Sequence, residues 1–167
     1  HNRWVRKKFK RVLKERDIRL SIGRMVERVK PDGLLFQDGS ELELDEVLWV
    51  TQASAASWLA QSGLAVDSNG FVQVHDTLQS ISHPEVFSAG DIASVVSHPR
   101  EKAGVFAVRQ GKPLEKNLRR ALLGLPLRPF KAQKKFLSLI STGDRYAIAS
   151  RGGWSLEGKW VWRWKDR

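Results

Sequence analysis

Residues 25–50 constrain the fold more than any other stretch. Met25–Val29, Leu34–Phe36 and Glu41–Leu44 are short runs separated by Pro31-Asp32-Gly33 and Gln37-Asp38-Gly39-Ser40. Asp-Gly pairs supply the positive φ that tight hairpin connections need. Glu41–Leu44 alternates as a half-buried strand should. The stretch therefore predicts an antiparallel meander. Val47–Val50 follows as a continuous apolar run, the pattern of a strand covered on both faces.

The flanking segments extend the pattern. Val5, Phe9, Val12 and Leu13 recur at helical spacing among Arg and Lys, which predicts an amphipathic helix ending near Arg16-Asp17. Ile18–Ile22 reads as a short strand. Gln52–Gln61 reads as a loop with a short helix, Asp67-Ser68-Asn69-Gly70 as a turn, and Phe71–Val74 as a strand. Val86–Ser88 reads as a short buried strand closed by Ala89-Gly90-Asp91. A helix is predicted from about Lys102 to Leu123, with Phe106, Ala107, Leu114, Leu118, Ala121 and Leu122 as its seam. Pro113 is a place for it to kink or restart, and Gly124 is its C-terminal cap. Phe136–Ile140 and Tyr146–Ala149 read as two strands around Ser141-Thr142-Gly143-Asp144.

Composition narrows the function. The chain has 167 residues, no cysteine and a formal net charge of +11. The length suits one compact core, or one domain with a small appendage. Without cysteine there is no disulfide, thiolate zinc site or redox-active cysteine pair. No window is long and apolar enough for a membrane-spanning helix. The N-terminus is basic without an apolar stretch and cleavage site, so it does not read as a secretory signal. The chain begins without Met and reads as a cut piece of something larger. The positive charge gathers in Arg3–Arg19 and Arg119–Arg167, with no aromatic-basic nucleic-acid motif between them.

Three segments carry chemistry. In Val86–Asp91 (VFSAGD), a short apolar strand would end in small residues, Gly and Asp. That would place a carboxylate at the carboxyl end of a sheet, where ligands sit in open α/β folds. Gly90 lets a ligand approach the backbone, and Asp91 accepts hydrogen bonds from sugar-like hydroxyls. The plain alternative is a strand end with a solvated Asp. The second segment is the helix start at Lys102, Ala103, Gly104 and Val105. Its free amides and partial positive charge favour an anionic partner. The alternative is an ordinary surface helix, capped by Ser97 or uncapped. The third is Thr51-Gln52-Ala53, whose small residues suit contact with a cofactor and equally a crossover between subdomains. The four His residues lack metal spacing, and no nucleophile-base arrangement or Gly-rich phosphate loop is present. Trp160, Trp162 and Trp164 alternate, so a strand there would carry all three indoles on one face. That face would pack on a core, or meet a membrane headgroup region together with the Lys and Arg.

Taken in order, these segments resemble a known superfamily. KPDGLLFQDGSELELDEVLWVTQ resembles the end of the NAD(P)H domain in two-dinucleotide-domain flavoproteins. GLAVDSNGFVQVHDTLQSISHPEVFSAGDIA resembles the return to the FAD domain and its second FAD motif. KAGVFAVRQGKPLEKNLRRALLG resembles the helix whose start faces the flavin. The chain is similar to the pyridine nucleotide-disulfide oxidoreductases. HPREKAGVFAVRQG and GKWVWRWKDR look like type II NADH dehydrogenases, and closest to the NADH-dehydrogenase-like module fused to selenophosphate synthetase (selenide, water dikinase). The absence of Cys and of a His-Pro-Thr segment sets it apart from the glutathione-reductase-like branch.

The resemblance implies an α/β fold: a fragment of an FAD/NAD(P)-binding, Rossmann-like flavoprotein with a β-meander, plus a small C-terminal α+β piece. It divides the chain into 1–50 from the NAD(P)H domain, 51–127 from the FAD domain and 128–167 opening an interface domain. The implied cofactors are FAD and NAD(P)H. The implied contacts are Gly90, Asp91 and Ile92 at the ribityl chain, Lys102, Ala103, Gly104 and Val105 at the ring, and Thr51 and Gln52. The last two stand where the family has a Gly-containing turn. No residue is required as acid or base, because the flavin carries the chemistry. The family's Gly-rich loops would lie before His1, so the isolated piece is expected to bind FAD poorly and not turn over. The implied function is part of an FAD-dependent NAD(P)H oxidoreductase with a quinone-like acceptor. The alternative is a non-catalytic module fused to a synthetase or docked on a membrane. A cytoplasmic location, or the cytoplasmic face of the membrane, follows, and no nucleic acid is expected as a partner.

Overall fold

In the computed structural model, the described residues are 2–51 and 53–166. Helix α1 spans Arg3–Glu15. The Asn2 side chain accepts from the Trp4 and Val5 amides, both at 3.0 Å, which satisfies two otherwise unpaired donors. The helix stops where Asp17 takes a left-handed φ of 55°. Ile18 N–H then reaches back to Leu13 O and Asp17 N–H to Lys14 O, at 2.9 and 3.1 Å, the paired bonds of a Schellman end. Beyond it, Ile18–Ile22 is not a strand. Ile18, Leu20 and Ile22 are exposed, and no strand among the described residues pairs with them.

The meander forms as β1 (Val26–Lys30), β2 (Gly33–Phe36) and β3 (Glu41–Glu43), antiparallel throughout. Its register leaves no space at Gly33, where a Cβ would lie 2.0 Å from Leu42 O. Gly39 turns the second hairpin at φ 78°, while the Asp38 carboxylate caps it by accepting from Ser40 N–H and the Ser40 hydroxyl. The Ser40 hydroxyl first, then its N–H, hold the Asp38 carboxyl below the usual carboxylate range. Val47–Val50 does not become a buried strand. Leu48 is 89% and Val50 81% exposed, because no described strand offers them a ladder.

Two compact units emerge, residues 51–134 and a second made of 1–50 with 135–167. In the first, helix α2 (Trp58–Gln61) drops Leu59 into a core with Val72, Val74, Leu78, Ala93 and Val95. Strand β4 (Val72–Val74) runs parallel to β5 (Ala93–Val95), with Val72 opposite Ala93 and Val74 opposite Val95. The Asp67–Gly70 turn feeds β4, and its Asp67 carboxylate accepts from Asn69 and Phe71 N–H at 2.9 and 3.1 Å.

The expected strand Val86–Ser88 shrinks to a single antiparallel bridge, Phe87 opposite Gln79. Its backbone is satisfied by the preceding turn instead: Ser80 N–H donates to Val86 O at 2.8 Å and Ser88 N–H to Leu78 O at 2.9 Å. A single 3₁₀ turn, Gly90–Ile92, then leads into β5. Asp91 therefore stands before a strand, not after one.

Helix α3 runs unbroken from Gly104 to Leu122 through Pro113. Gly124 ends it at φ 65°, with Leu125 N–H returning to Arg120 O at 2.8 Å and Gly124 N–H to Ala121 O at 3.1 Å. Its buried seam is Phe106, Gln110 and Asn117, with Leu114 against the core. Leu118, Ala121 and Leu122 are exposed, contrary to the apolar seam expected. Two amides carry that seam because backbone groups of other segments must be satisfied there.

The last segment builds β6 (Ser138–Gly143), β7 (Tyr146–Arg151) and β8 (Trp154–Gly158), then helix α4 (Lys159–Lys165). Asp144 and Arg145 both take positive φ, 50° and 54°, which matches a type I′ hairpin. The three-strand sheet is covered on both faces. Ala147, Ala149 and Val161 of α4 share one cluster. On the other face Glu157, opposite Ile148, accepts from Arg11 at 2.7 Å and pairs with Lys8 at 3.4 Å. The tail is thus a helix rather than the expected strand. Helical spacing puts Trp160 and Trp164 on one exposed side and turns Val161 inward.

Candidate functional site

The start of α3 and the Gly90–Ile92 turn face each other across a small pocket of about 30 Å³. Gly90, Asp91, Lys102, Ala103, Phe106 and Gln110 line it. Gly90 holds φ 78°, a conformation that favours glycine. Its amide donates to Gln110 Oε1 at 2.6 Å, which ties the turn to the flank of α3. The Asp91 carboxylate is exposed. Residue Ala103 precedes the helix with no side-chain cap, so Ser97 does not serve there. A Cβ at Gly104 would meet nothing within 4 Å, so the space beside the helix start is open there.

A wider cleft of about 520 Å³ adjoins it and shares Ser94, Arg100, Glu101 and Lys102. Asp67, Asn69, Phe71, Pro99, Ala53 and Ser54 complete its wall. The Lys102 ammonium donates to Ala93 O at 2.7 Å and lies 3.9 Å from the centre of the Phe71 ring. Burial pushes that ammonium below the usual lysine range, against the pull of Asp67 and Asp91. Burial also works to raise the Asp67 carboxyl. Hydrogen bonds from Ser94, Phe71 N–H and Asn69 N–H, with Lys102 nearby, outweigh it and hold the group below the usual range.

Of the residues expected from sequence, Gly90, Asp91, Lys102 and Ala103 come together on one pocket. Ile92, Gly104 and Val105 neighbour it in sequence without lining it. Thr51 is exposed and lines neither cleft, although Ala53 and Ser54 line the wider one. Gln52 lies outside the described residues. Sequence reasoning missed Gln110 and Asn117, Phe71 with Asp67, and the Asp76-Ser97-His98 cluster. Asn117 Nδ2 donates to Thr77 O at 2.9 Å and Arg128 O at 2.8 Å, and its Oδ1 accepts from Arg128 N–H at 2.9 Å. The signal was available, since 106, 110, 113 and 117 keep helical spacing with polar residues at two of the four places. His98 Nδ1 sits 2.7 Å from Ser97 Oγ and 3.3 Å from Asp76 Oδ1, and Nε2 accepts from Ala132 N–H at 3.4 Å. Ser and Asp both meet Nδ1, so this is not a nucleophile-base arrangement. Among the described residues no group of three or more acidic or His side chains is placed to hold a metal ion.

A glycine-bent turn and the uncapped start of a long helix thus share one pocket in an α/β fold. The chain belongs to the pyridine nucleotide-disulphide oxidoreductase family, whose model matches residues 1–111. The type II NADH:quinone oxidoreductase of Haemophilus influenzae is 28% identical over 145 residues, covering 83% of this chain and 32% of that protein. A NADH dehydrogenase-like protein of Mycobacterium tuberculosis is 25% identical over 148 residues, covering 86% of this chain and 36% of that one. The chain thus spans about a third of the length of these curated relatives. Among solved structures, the sulfide:quinone oxidoreductase of Aquifex aeolicus matches with a TM-score of 0.74 and 16% identity, covering 96% of this chain and 42% of that one. The water-forming NADH oxidase of Lactobacillus brevis matches at 0.63 and 22%, covering 87% and 32%. At such identities the structural matches establish the fold, an α/β oxidoreductase fold.

Proposed function

We infer that this chain supplies the ribityl-and-ring side of the flavin site in an FAD-dependent NAD(P)H oxidoreductase. The observation that carries this is the meeting of Gly90, Asp91, Lys102 and Ala103 at the uncapped mouth of the 19-residue helix α3. The residues fit the group. Gly90 opens the backbone, the exposed Asp91 carboxylate accepts from ribityl hydroxyls, and the α3 amides favour negative charge at the pyrimidine end of the ring. Ile92, Gly104 and Val105 continue the two ligand segments, and Thr51 and Gln52 stand at the crossover from an NAD(P)H-binding part, 1–50, to an FAD-binding part, 51–127. The segment 128–167 opens an interface domain. When bound, the flavin supplies the hydride and electron chemistry. The residues of this chain bind and orient it, and the acceptor is a quinone-like molecule.

The test is a flavin spectrum and NAD(P)H-oxidation assay on the full-length protein with several acceptors. Stoichiometric flavin and acceptor-dependent oxidation are expected. A protein that purifies without flavin and resists reconstitution overturns the proposal.

One observation favours a second reading, a module docked on a membrane or a fused synthetase. Trp154, Leu156, Trp160 and Trp164 are exposed beside Lys159, Arg163 and Lys165, a composition suited to anionic headgroups. No helix of the described residues is long and apolar enough to cross a membrane. Co-sedimentation with anionic vesicles, lost in Trp160→Ser with Trp164→Ser, would support docking; equal sedimentation with neutral vesicles would not.

A further inference from the structure

We propose that Lys102 is a positioning residue, one that fixes the mouth of α3 against the Gly90–Asp91 turn and does not itself reach the ligand. The inference rests on the flavin-site reading above only for its consequence, not for its geometry.

Three neighbouring segments hold the ammonium. Its bond to Ala93 O, 2.7 Å long, closes the loop that runs from β5 to α3. The Phe71 ring, itself buried, lies against it at 3.9 Å and anchors it to the turn before β4. The carboxylates of Asp67 and Asp91 pull on it from that turn and from the 3₁₀ turn. Arg100 and Glu101 are the other charged groups lining these clefts and His98 the other titratable one, and all three precede Lys102 in its own segment. With its charge committed to a strand carbonyl and a ring, the side chain acts on the scaffold. Because α3 has no side-chain cap, nothing in its own N-cap sets where its first amides lie. Lys102 sets the near end, and the bond from Gly90 N–H to Gln110, at 2.6 Å, sets the far end. A flavin meeting both Asp91 and the α3 amides needs that separation held. Partial burial already lowers the lysine's proton affinity, so the tie weakens at alkaline pH, where a guanidinium stays charged.

The experiment is hydrogen-deuterium exchange on this chain, comparing wild type with Lys102→Met and Lys102→Arg. Lys102→Met is expected to raise exchange of the Gly90, Phe106 and Ala107 amides, which bond to Gln110 and Ala103, about tenfold, the loss of one charge-assisted hydrogen bond, with the core strands unchanged. Lys102→Arg restores protection. In wild type, after correction for intrinsic exchange, protection of the Gly90, Phe106 and Ala107 amides falls as pH rises into the alkaline range, and in Lys102→Arg it does not. Unchanged exchange in Lys102→Met overturns the proposal. Should Lys102→Met fail to fold, the pH series decides alone, and equal profiles for wild type and Lys102→Arg overturn it. In the full-length protein, FAD affinity drops about tenfold in Lys102→Met and recovers in Lys102→Arg; the same affinity in Lys102→Met and wild type also overturns it. If exchange behaves as expected while the full-length protein takes up no flavin, the flavoenzyme reading fails and the positioning role stands.

Discussion

Two apolar runs of similar composition end in opposite surroundings. Phe71–Val74 is sealed in the core, with Val74 at 0% exposure, while Val47–Val50 lies open, with Leu48 at 89%. The difference is not in the residues. Strand β4 has β5 beside it and Leu59 and Leu78 above it. Val47–Val50 has no described strand to share hydrogen bonds with. An apolar run states that a segment needs cover; the cover has to come from elsewhere in the molecule.

Mutations can break or sharpen that contrast. The largest effect is expected from Leu59→Ala, which opens a cavity in the core and should cost about 3 kcal/mol in urea unfolding. Asn117→Ala strands the Thr77 and Arg128 backbone groups it satisfies and should cost about 2 kcal/mol by the same measurement. Asn2→Ala removes the cap of α1 and should cost about 1 kcal/mol, read from a thermal melt. Asp67 gives a smaller, pH-dependent effect. Its folded carboxyl is held low, so its contribution is present at neutral pH and is lost as pH falls through that lowered value. Asp67→Asn should flatten the acid limb of a stability-against-pH curve below about pH 4. Leu48→Ala should fall within about 0.5 kcal/mol of wild type. A Leu48→Ala loss equal to that of Leu59→Ala would erase the contrast.

The elements that end on their own chemistry were legible from the sequence. The two Asp-Gly turns gave the meander, and Gly124 gave the stop of α3. Elements that depend on distant partners were not. Val86–Ser88 looked like a strand, yet it pairs only as one bridge, Phe87 opposite Gln79, because the turn just before it is its sole partner among the described residues. The tail alternated tryptophans with Val161, Arg163 and Lys165, which mimics a strand. Gly158 at φ 141° ends β8, and burial of Val161 against Ala147 and Ala149 makes the rest helical. At the candidate site, Gly90, Asp91, Lys102 and Ala103 were named from sequence and meet in space. Gln110 and Phe71 were not named, because their part is to hold other residues in place, and that shows only once the neighbours are assembled.

Helix α3 is gripped at two places by polar side chains on the same face. Gln110 holds the Gly90 amide. Asn117, seven residues or about 10 Å further along the axis, holds both the backbone N–H and the C=O of Arg128. The helix continues unbroken between the two grips, although Pro113 removes one bond of its ladder there. A small axial slide at one end would be felt at the other, so a push on the chain leaving near Arg128 would be transmitted to the glycine that opens the pocket.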